Sequence, residues 1–441
     1  MRDVWQKIFK APPHVPLKSK TEIDAEYPKW RWRILEATFI GYASFYFVRN
    51  NFAPVSKEFA ADLGYSRSDI GDLLALTAIS YGLGKFLMGA VSDRSNVRRF
   101  MPFGLLLTAL LNIAFGSVSV FSVHLVLWSL NGFVQGMGWG PCGRSIGHWF
   151  SVGERGKIFG IWNIAHNVGG GIIGVLAAWV AGYAGWRSAF YVPAALSILS
   201  AFYLFWRLRD TPQSIGLPSI AEYRNDYPPG ETIHNADEHE LSFREIFIGH
   251  VLKNKIIWII AIANFFVYIV RYSLIDWGPT YLKEAKGATL NMGGISTLVY
   301  EFAGIFSTLL VGYLSDKADG RRGAVSLICL FPVLFAAFVL YALPDLPVWG
   351  GLIAFGVVGF FIYPPVMLLG VAGLDFTSRK AVGAAAGFIG LSGYLGRTVQ
   401  GKGLGYLSEY YSWDAAMIAI VICALLAILM LTFTWNLKPR A

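Results

Sequence analysis

Two arginines stand inside long apolar stretches, and their surroundings repeat: Tyr46-Phe-Val-Arg49 and Tyr268-Ile-Val-Arg271 lie 222 residues apart. A guanidinium at membrane depth costs at least ~2.5–3.5 kcal/mol on insertion scales, so it needs a partner or a purpose. Neither arginine has a carboxylate within two turns on its own helical face; Asp276, five residues from Arg271, falls off that face. Arg49 follows Arg33 by 16 residues and Arg271 follows Lys255 by 16. At helical rise both sit roughly 24 Å along their helices, at matched depth. Two planar forks, one from each half of the chain, suit a dianion with several oxygens, and phosphate is the bidentate match. The competing reading satisfies each arginine with a backbone carbonyl or with Glu301.

Other side chains gather around this pair. Lys85 stands nine residues before Arg94, with Tyr81 one turn earlier on the same face, either as a third phosphate contact or as a counter-ion. His166, in Trp162-Asn163-Ile-Ala-His166-Asn167, titrates near neutrality and can donate to phosphate, although a lone buried histidine is commonly structural. Gly169-Gly170-Gly171 follow it and allow close helix packing. Hydroxylated aromatics cluster nearby: Tyr42, Tyr46, Tyr81, Tyr268, Tyr272, Tyr363 and Tyr394, some as contacts and some as packing. Trp139 shapes either the cavity or the packing. Arg397 and Lys402 are five residues apart and share no helical face, so at most one reaches a cavity; the competing reading pairs them with Glu301 or Asp375.

These residues need a scaffold. The chain has 441 residues, 55% hydrophobic and only 15% charged. Soluble domains carry about 25% charge, so lipid is the natural solvent. Only helices or closed barrels span a bilayer, and the unbroken apolar runs read as helices. Spans of ~20 residues are predicted at 33–55, 67–92, 99–119, 122–146, 158–183 and 186–207, then at 254–277, 291–315, 323–342, 347–373, 380–406 and 412–436. The organisation is a first bundle over 1–207, a polar linker over 208–252 and a second bundle over 253–441. Of the 37 Lys and Arg, 26 fall on the side of the N-terminus, 5 on the other and 6 within spans. That bias predicts cytoplasmic N- and C-termini, and it absorbs the +9 net charge without a nucleic-acid partner. The first thirty residues hold no apolar run, so no cleavable signal peptide is expected. Cys142, Cys329 and Cys423 lie in apolar runs without CxxC spacing, so no disulfide or metal site is implied.

A second repeat joins span two to three in each half. Gly89-Ala-Val-Ser-Asp93-Arg94 with Arg98-Arg99 matches Gly312-Tyr-Leu-Ser-Asp316-Lys317 with Arg321-Arg322. Read physically it is a gate latch, in which the Asp accepts from arginine and a helix N-terminus when the ends close; a plain basic loop with an ion pair is the alternative. Two parallel six-helix halves with a site between them near midplane are expected.

This loop resembles the signature of the major facilitator superfamily. The stretches GYASFYFVRNNF, ISYGLGKFLMGAVSDRSN, QGMGWGPCGR, IWNIAHNVGGG, RDTPQSIGLP, FVYIVRY, DWGPTYLKEAKG, IYPPVMLLG and GFIGLSGYLG, spread over residues 41–396, resemble its organophosphate:phosphate antiporter family. The wording is nearest to glycerol-3-phosphate transporters, with hexose-phosphate transporters, related sugar-phosphate sensors and phosphoglycerate transporters close by. The resemblance implies an all-α membrane fold and alternating-access exchange of an organic phosphate for inorganic phosphate. It implies no cofactor and no enzyme activity, a monomer, and a bacterial inner-membrane location. It implies Arg49 and Arg271 as the substrate-phosphate arginines and puts Lys85, His166, Tyr42, Tyr46, Tyr81, Tyr268, Tyr363 and Tyr394 at cavity positions. Arg397 and Lys402 depart from the glycerol-phosphate pattern and sit nearer the hexose-phosphate one. The rival expectations are a transporter-like sensor of sugar phosphate, and a proton-coupled symporter using Glu36 or Glu301.

Overall fold

The computed structural model describes residues 10–226, 251–317, 321–376 and 382–437, and among these there is no strand. Twelve helical rods follow one another within these residues. The first half holds α1 (Lys20–Phe47), α2 (Arg67–Ser92), α3 (Val97–Ser117), α4 (Phe121–Gln135, continued by Trp139–Trp149), α5 (Val152–Asn163, continued by Ala165–Ala184) and α6 (Ser188–Arg207). The second half holds α7 (Lys255–Tyr272, continued through Ser273–Trp277 to Ala285), α8 (Leu290–Lys317), α9 (Arg322–Ala342), α10 (Val348–Asp375), α11 (Val382–Tyr410) and α12 (Trp413–Thr432). Local signals start them. Ser66 and Asp69 form a reciprocal capping box before α2, Asn254 caps α7, and Ser412 caps α12. Nine rods among the described residues are long and apolar enough by themselves to cross a membrane. The other three are α1, α4 and α11. Charged residues fill the first half of α1, Gly136-Met137-Gly138 interrupts α4, and α11 carries Arg397 and Lys402.

We call the face carrying the chain's start the basic face and the opposite one the far face. The halves meet along two seams, α2 against α11 and α5 against α8. Small residues permit this. A Cβ on Gly71 would lie 2.8 Å from the carbonyl of Gly401, and one on Gly294 would lie 2.5 Å from that of Gly174.

The far face is bolted shut by bonds that cross between halves. Ser56 meets Thr280 at 2.7 Å, Lys283 meets Glu58 at 2.6 Å, Arg67 meets Glu284 at 2.7 Å and Lys402 meets Asp72 at 2.7 Å. At the basic-face end of α2 an open cavity of about 710 Å³ borders Ala90, Val91, Asp93 and Arg94.

The linker expected at 208–252 is partly a piece of the first bundle. Leu217 and Ile220 are buried, Tyr223 stacks on Tyr27 at 4.1 Å, and the Tyr27 hydroxyl donates to Pro218. Residues 227–250 lie outside the described residues, as do 1–9, 318–320, 377–381 and 438–441.

Candidate functional site

Both arginines stand where a helix stops being regular. α1 ends at Phe47, so the predicted span 33–55 is interrupted, and Arg49 occupies the turn before a short helix at Ala53–Val55. Freed carbonyls at membrane depth need donors. The Val48 carbonyl accepts from Asn112 at 2.9 Å, from Asn131 at 3.0 Å and from Gln135 at 3.4 Å. Arg271 precedes a π-helical stretch, Ser273–Trp277, and its carbonyl accepts from the Tyr300 hydroxyl at 3.1 Å. Discontinuous helices of this kind line transport sites, and π-bulges concentrate at functional positions.

Neither guanidinium has a carboxylate partner among the described residues. Arg49 Nε donates to Gln135 Oε1 at 3.1 Å, while its Nη2 is buried without a partner. Arg271 Nε is also buried and unpartnered. What surrounds them is aromatic. Arg49 lies over Tyr46 at 4.4 Å and Tyr81 at 4.2 Å; Arg271 lies over Tyr363 at 4.6 Å and Tyr268 at 5.8 Å.

These contacts close into a ring of eight side chains. Tyr81 meets Tyr394 at 5.1 Å, and Tyr394 meets Tyr268 at 5.7 Å. On the other arc Tyr46 meets His166 at 5.8 Å, and His166 meets Tyr363 at 5.6 Å. Arg49, Tyr46, Tyr81 and His166 come from the first half; Arg271, Tyr268, Tyr363 and Tyr394 come from the second. The ring therefore needs both halves. His166 Nδ1 is hydrogen-bonded to the Asn163 carbonyl. A carbonyl only accepts, so Nδ1 carries a proton; when the ring is neutral, Nε2 is the acceptor edge.

Further expected residues sit next to the ring. Lys85 lies over Trp139 at 5.1 Å and Tyr394 at 5.6 Å, which puts it beside the ring at Tyr394. Tyr42 backs Tyr46 at 5.5 Å and packs on Trp162 at 4.8 Å, one layer behind the ring.

Two expected contacts belong elsewhere. Arg397 is buried in an ion pair with Asp276, Nη2 to Oδ1 at 3.0 Å and Nε to Oδ2 at 3.2 Å, with Tyr272 beneath it at 4.0 Å. It is held as a neutral pair, and its partner is neither Glu301 nor Asp375. The wide π turn keeps Asp276 off the Arg271 face and presents it to α11. Lys402 turns to the far face, where it meets Asp72 and the Ser68 hydroxyl at 3.0 Å, and is part of the seal. Between the ring and that seal, Arg49, Asn50, Asp276 and Arg397 border only about 10 Å³ of free space, room for one water.

Glu301 is fully buried and accepts from Asn167 at 2.8 Å, across the seam, and from the Tyr363 hydroxyl. Glu36 sits in the exposed outer surface of the bundle with Arg207 at 2.8 Å and Tyr203. Asp93, Arg94 and Lys317 are exposed at the basic face, and the side chain of Asp316 lies outside the described residues. Sequence reasoning left Gln135 and Asn167 without roles. An amide inside a span needs a partner for the same reason a charge does, and that was the available signal.

Residues 38–401 match the family model of the Major Facilitator Superfamily. The chain is 41% identical to the glycerol-3-phosphate transporter of Bacillus subtilis (strain 168), over 98% of this chain and 99% of that protein. It is 38% identical to a probable hexose phosphate transport protein of Chlamydia muridarum, over 100% and 98%. Its fold matches a solved bacterial homolog to the human lysosomal transporter Spinster, in an inward-facing and unoccupied conformation, with a TM-score of 0.78 at 17% identity, over 93% of this chain and 99% of that one.

Proposed function

This chain belongs to the major facilitator superfamily, within its organophosphate:phosphate antiporter family, and we propose that it exchanges a small organic phosphate for inorganic phosphate by alternating access. The observation that carries this reading is the eight-membered ring: two guanidiniums, one from each half, with no ion-pair partner among the described residues and with unpartnered nitrogens buried among tyrosines. A phosphate group reaching both would bridge the halves. Lys85 and His166 supply a further cation and an acceptor for the proton of a monoprotonated phosphate. The tyrosine hydroxyls complete the shell.

Exchange, rather than one-way transport, follows from the charges. Closing a dry site around two cations is costly when, as among the described residues, neither is paired with a carboxylate. A bound dianion removes that cost. The return step therefore needs an anion as well, and inorganic phosphate serves. Glycerol-3-phosphate and hexose phosphates are the organic substrates to test first.

In this reading the basic face lies in the cytoplasm of a bacterial inner membrane, with both chain ends there, and one chain makes the whole site. The structure's sealed far face is then the outward gate. The repeated loops, with Asp93, Arg94, Asp316 and Lys317, form the opposite latch that closes the basic face in the other state.

The test is labelled-phosphate exchange in proteoliposomes loaded with phosphate, with glycerol-3-phosphate, glucose-6-phosphate, 3-phosphoglycerate and phosphoenolpyruvate as competitors. Arg49→Lys or Arg271→Lys should each reduce exchange by about two orders of magnitude, since an ammonium cannot reproduce the fork. Full exchange in either variant removes the role given to that arginine. Tight binding with no flux would mark a sensor instead.

A further inference from the structure

A second group of arginines lies outside the transport path, at the basic-face rim between α1, α3 and α6. Arg33 and Arg209 both lie over the indole of Trp30, each at 5.0 Å. Arg98, in the first turn of α3, lies over Phe205 at 5.0 Å and donates from Nε to its carbonyl at 3.0 Å. Burial comes first in pushing the Arg209 guanidinium below its ordinary value, and then the charges of Arg98 and Arg33. The three are near enough to repel.

Neighbouring carboxylates are already taken. Glu26 holds Lys18 at 2.8 Å and the Trp30 indole N–H at 3.2 Å. Glu36 holds Arg207 and Tyr203. Asp210 accepts from Arg144 at 2.9 Å and from the Val97 amide at 2.9 Å. No carboxylate pairs with Arg33, Arg98 or Arg209 among the described residues. Arg98 also opposes the dipole of α3 by standing at its positive end, which an anion there would correct.

The surroundings are those of a membrane interface. Phe202 is 68% exposed, Trp206 66% and Trp32 70%, on a protein whose bundle exterior faces lipid. Basic pockets between spans at such a rim take lipid head groups, and a guanidinium set takes a phosphodiester bidentately.

We propose that Arg33, Arg98 and Arg209, around Trp30, form a binding site for the head group of an anionic phospholipid. The acyl chains run along the exposed Phe202 and Trp206 on α6. The site is separate from the central ring and independent of what the ring transports.

The experiment is native mass spectrometry of the full chain released from nanodiscs of mixed phosphatidylglycerol and phosphatidylcholine. Wild type should retain one phosphatidylglycerol about tenfold more than phosphatidylcholine. The triple variant Arg33→Gln, Arg98→Gln, Arg209→Gln should lose that preference, while Arg187→Gln at the far face keeps it. A parallel thermal-shift titration needs no variant: phosphatidylglycerol should raise the unfolding midpoint of wild type, and phosphatidylcholine should not. Equal retention in wild type and triple variant, or no difference between the two lipids in the titration, overturns the proposal. So does displacement of the lipid by millimolar inorganic phosphate, which would mark the cluster as a site for the free anion.

Discussion

Tyr363 lies with its ring face on the guanidinium of Arg271, 4.6 Å from ring centroid to the carbon, while its hydroxyl donates to Glu301. One side chain thus keeps a fixed cation and a buried carboxylate occupied separately. Tyr363→Phe retains the ring and frees one lone pair of Glu301, which is then a competitor for Arg271. Phosphate binding, measured by calorimetry on purified protein, should weaken roughly tenfold, the scale of one hydrogen bond to a charged group. Glu301→Gln in the same background should restore much of it. Unchanged binding in Tyr363→Phe would show that the carboxylate is not in competition.

The Arg397–Asp276 pair makes a stability prediction. Removing one partner of a buried pair costs about 3–5 kcal/mol, because a charge is stranded. Asp276→Asn and Arg397→Gln should each lower the thermal unfolding midpoint sharply. The double variant should recover most of the loss. Additive losses would contradict the pairing seen at 3.0 and 3.2 Å.

The far-face seal makes a conformational one. Lys402–Asp72 is partly exposed, so it contributes about 0–1 kcal/mol. Lys402→Gln should therefore shift the open and closed populations by a few-fold only. The readout is the labelling rate of a cysteine placed at Thr77 by a membrane-impermeant thiol reagent added from the far side; it should rise in Lys402→Gln, and rise further when Glu58→Gln is added. A rate unchanged by both substitutions would show that these pairs do not hold the gate.

Packing of α2 on α4 depends on one missing methyl group. A Cβ on Gly84 would lie 2.1 Å from the Phe133 carbonyl oxygen, whereas one on Gly89 meets nothing within 4 Å. Gly84→Ala should destabilise by roughly 1–3 kcal/mol, as overpacking does. Gly89→Ala is the matched control and should leave the unfolding midpoint unchanged or raise it slightly, since alanine is the better helix former by about 0.5–1 kcal/mol. Because Lys85 is the next residue, Gly84→Ala should also weaken phosphate exchange.

Composition and periodicity alone settled the helices and the two halves. Long apolar runs demand helices because lipid offers no hydrogen bonds, and the 222-residue echo of Arg49 in Arg271 makes two halves with one arginine each. The sequence listed seven tyrosines near the intramembrane cations without separating contacts from packing; the fold brings five of them, Tyr46, Tyr81, Tyr268, Tyr363 and Tyr394, into one ring. What the sequence left open was which charges are spent. Arg397 and Arg271 look alike as residues in apolar runs; only the three-dimensional fold shows that Asp276 neutralises one and that, among the described residues, no carboxylate pairs with the other. The reason is geometric. A period of 3.6 residues places side chains on faces of a regular helix, but the breaks at Val48 and Ser273–Trp277 rotate those faces, and partners such as Asn112, Gln135 and Asn167 arrive from helices distant in the chain. Pro54 and Pro279, each a few residues beyond its arginine, are the trace of those breaks in the sequence. Direction of rotation, and hence the ring itself, is decided by packing between the two halves.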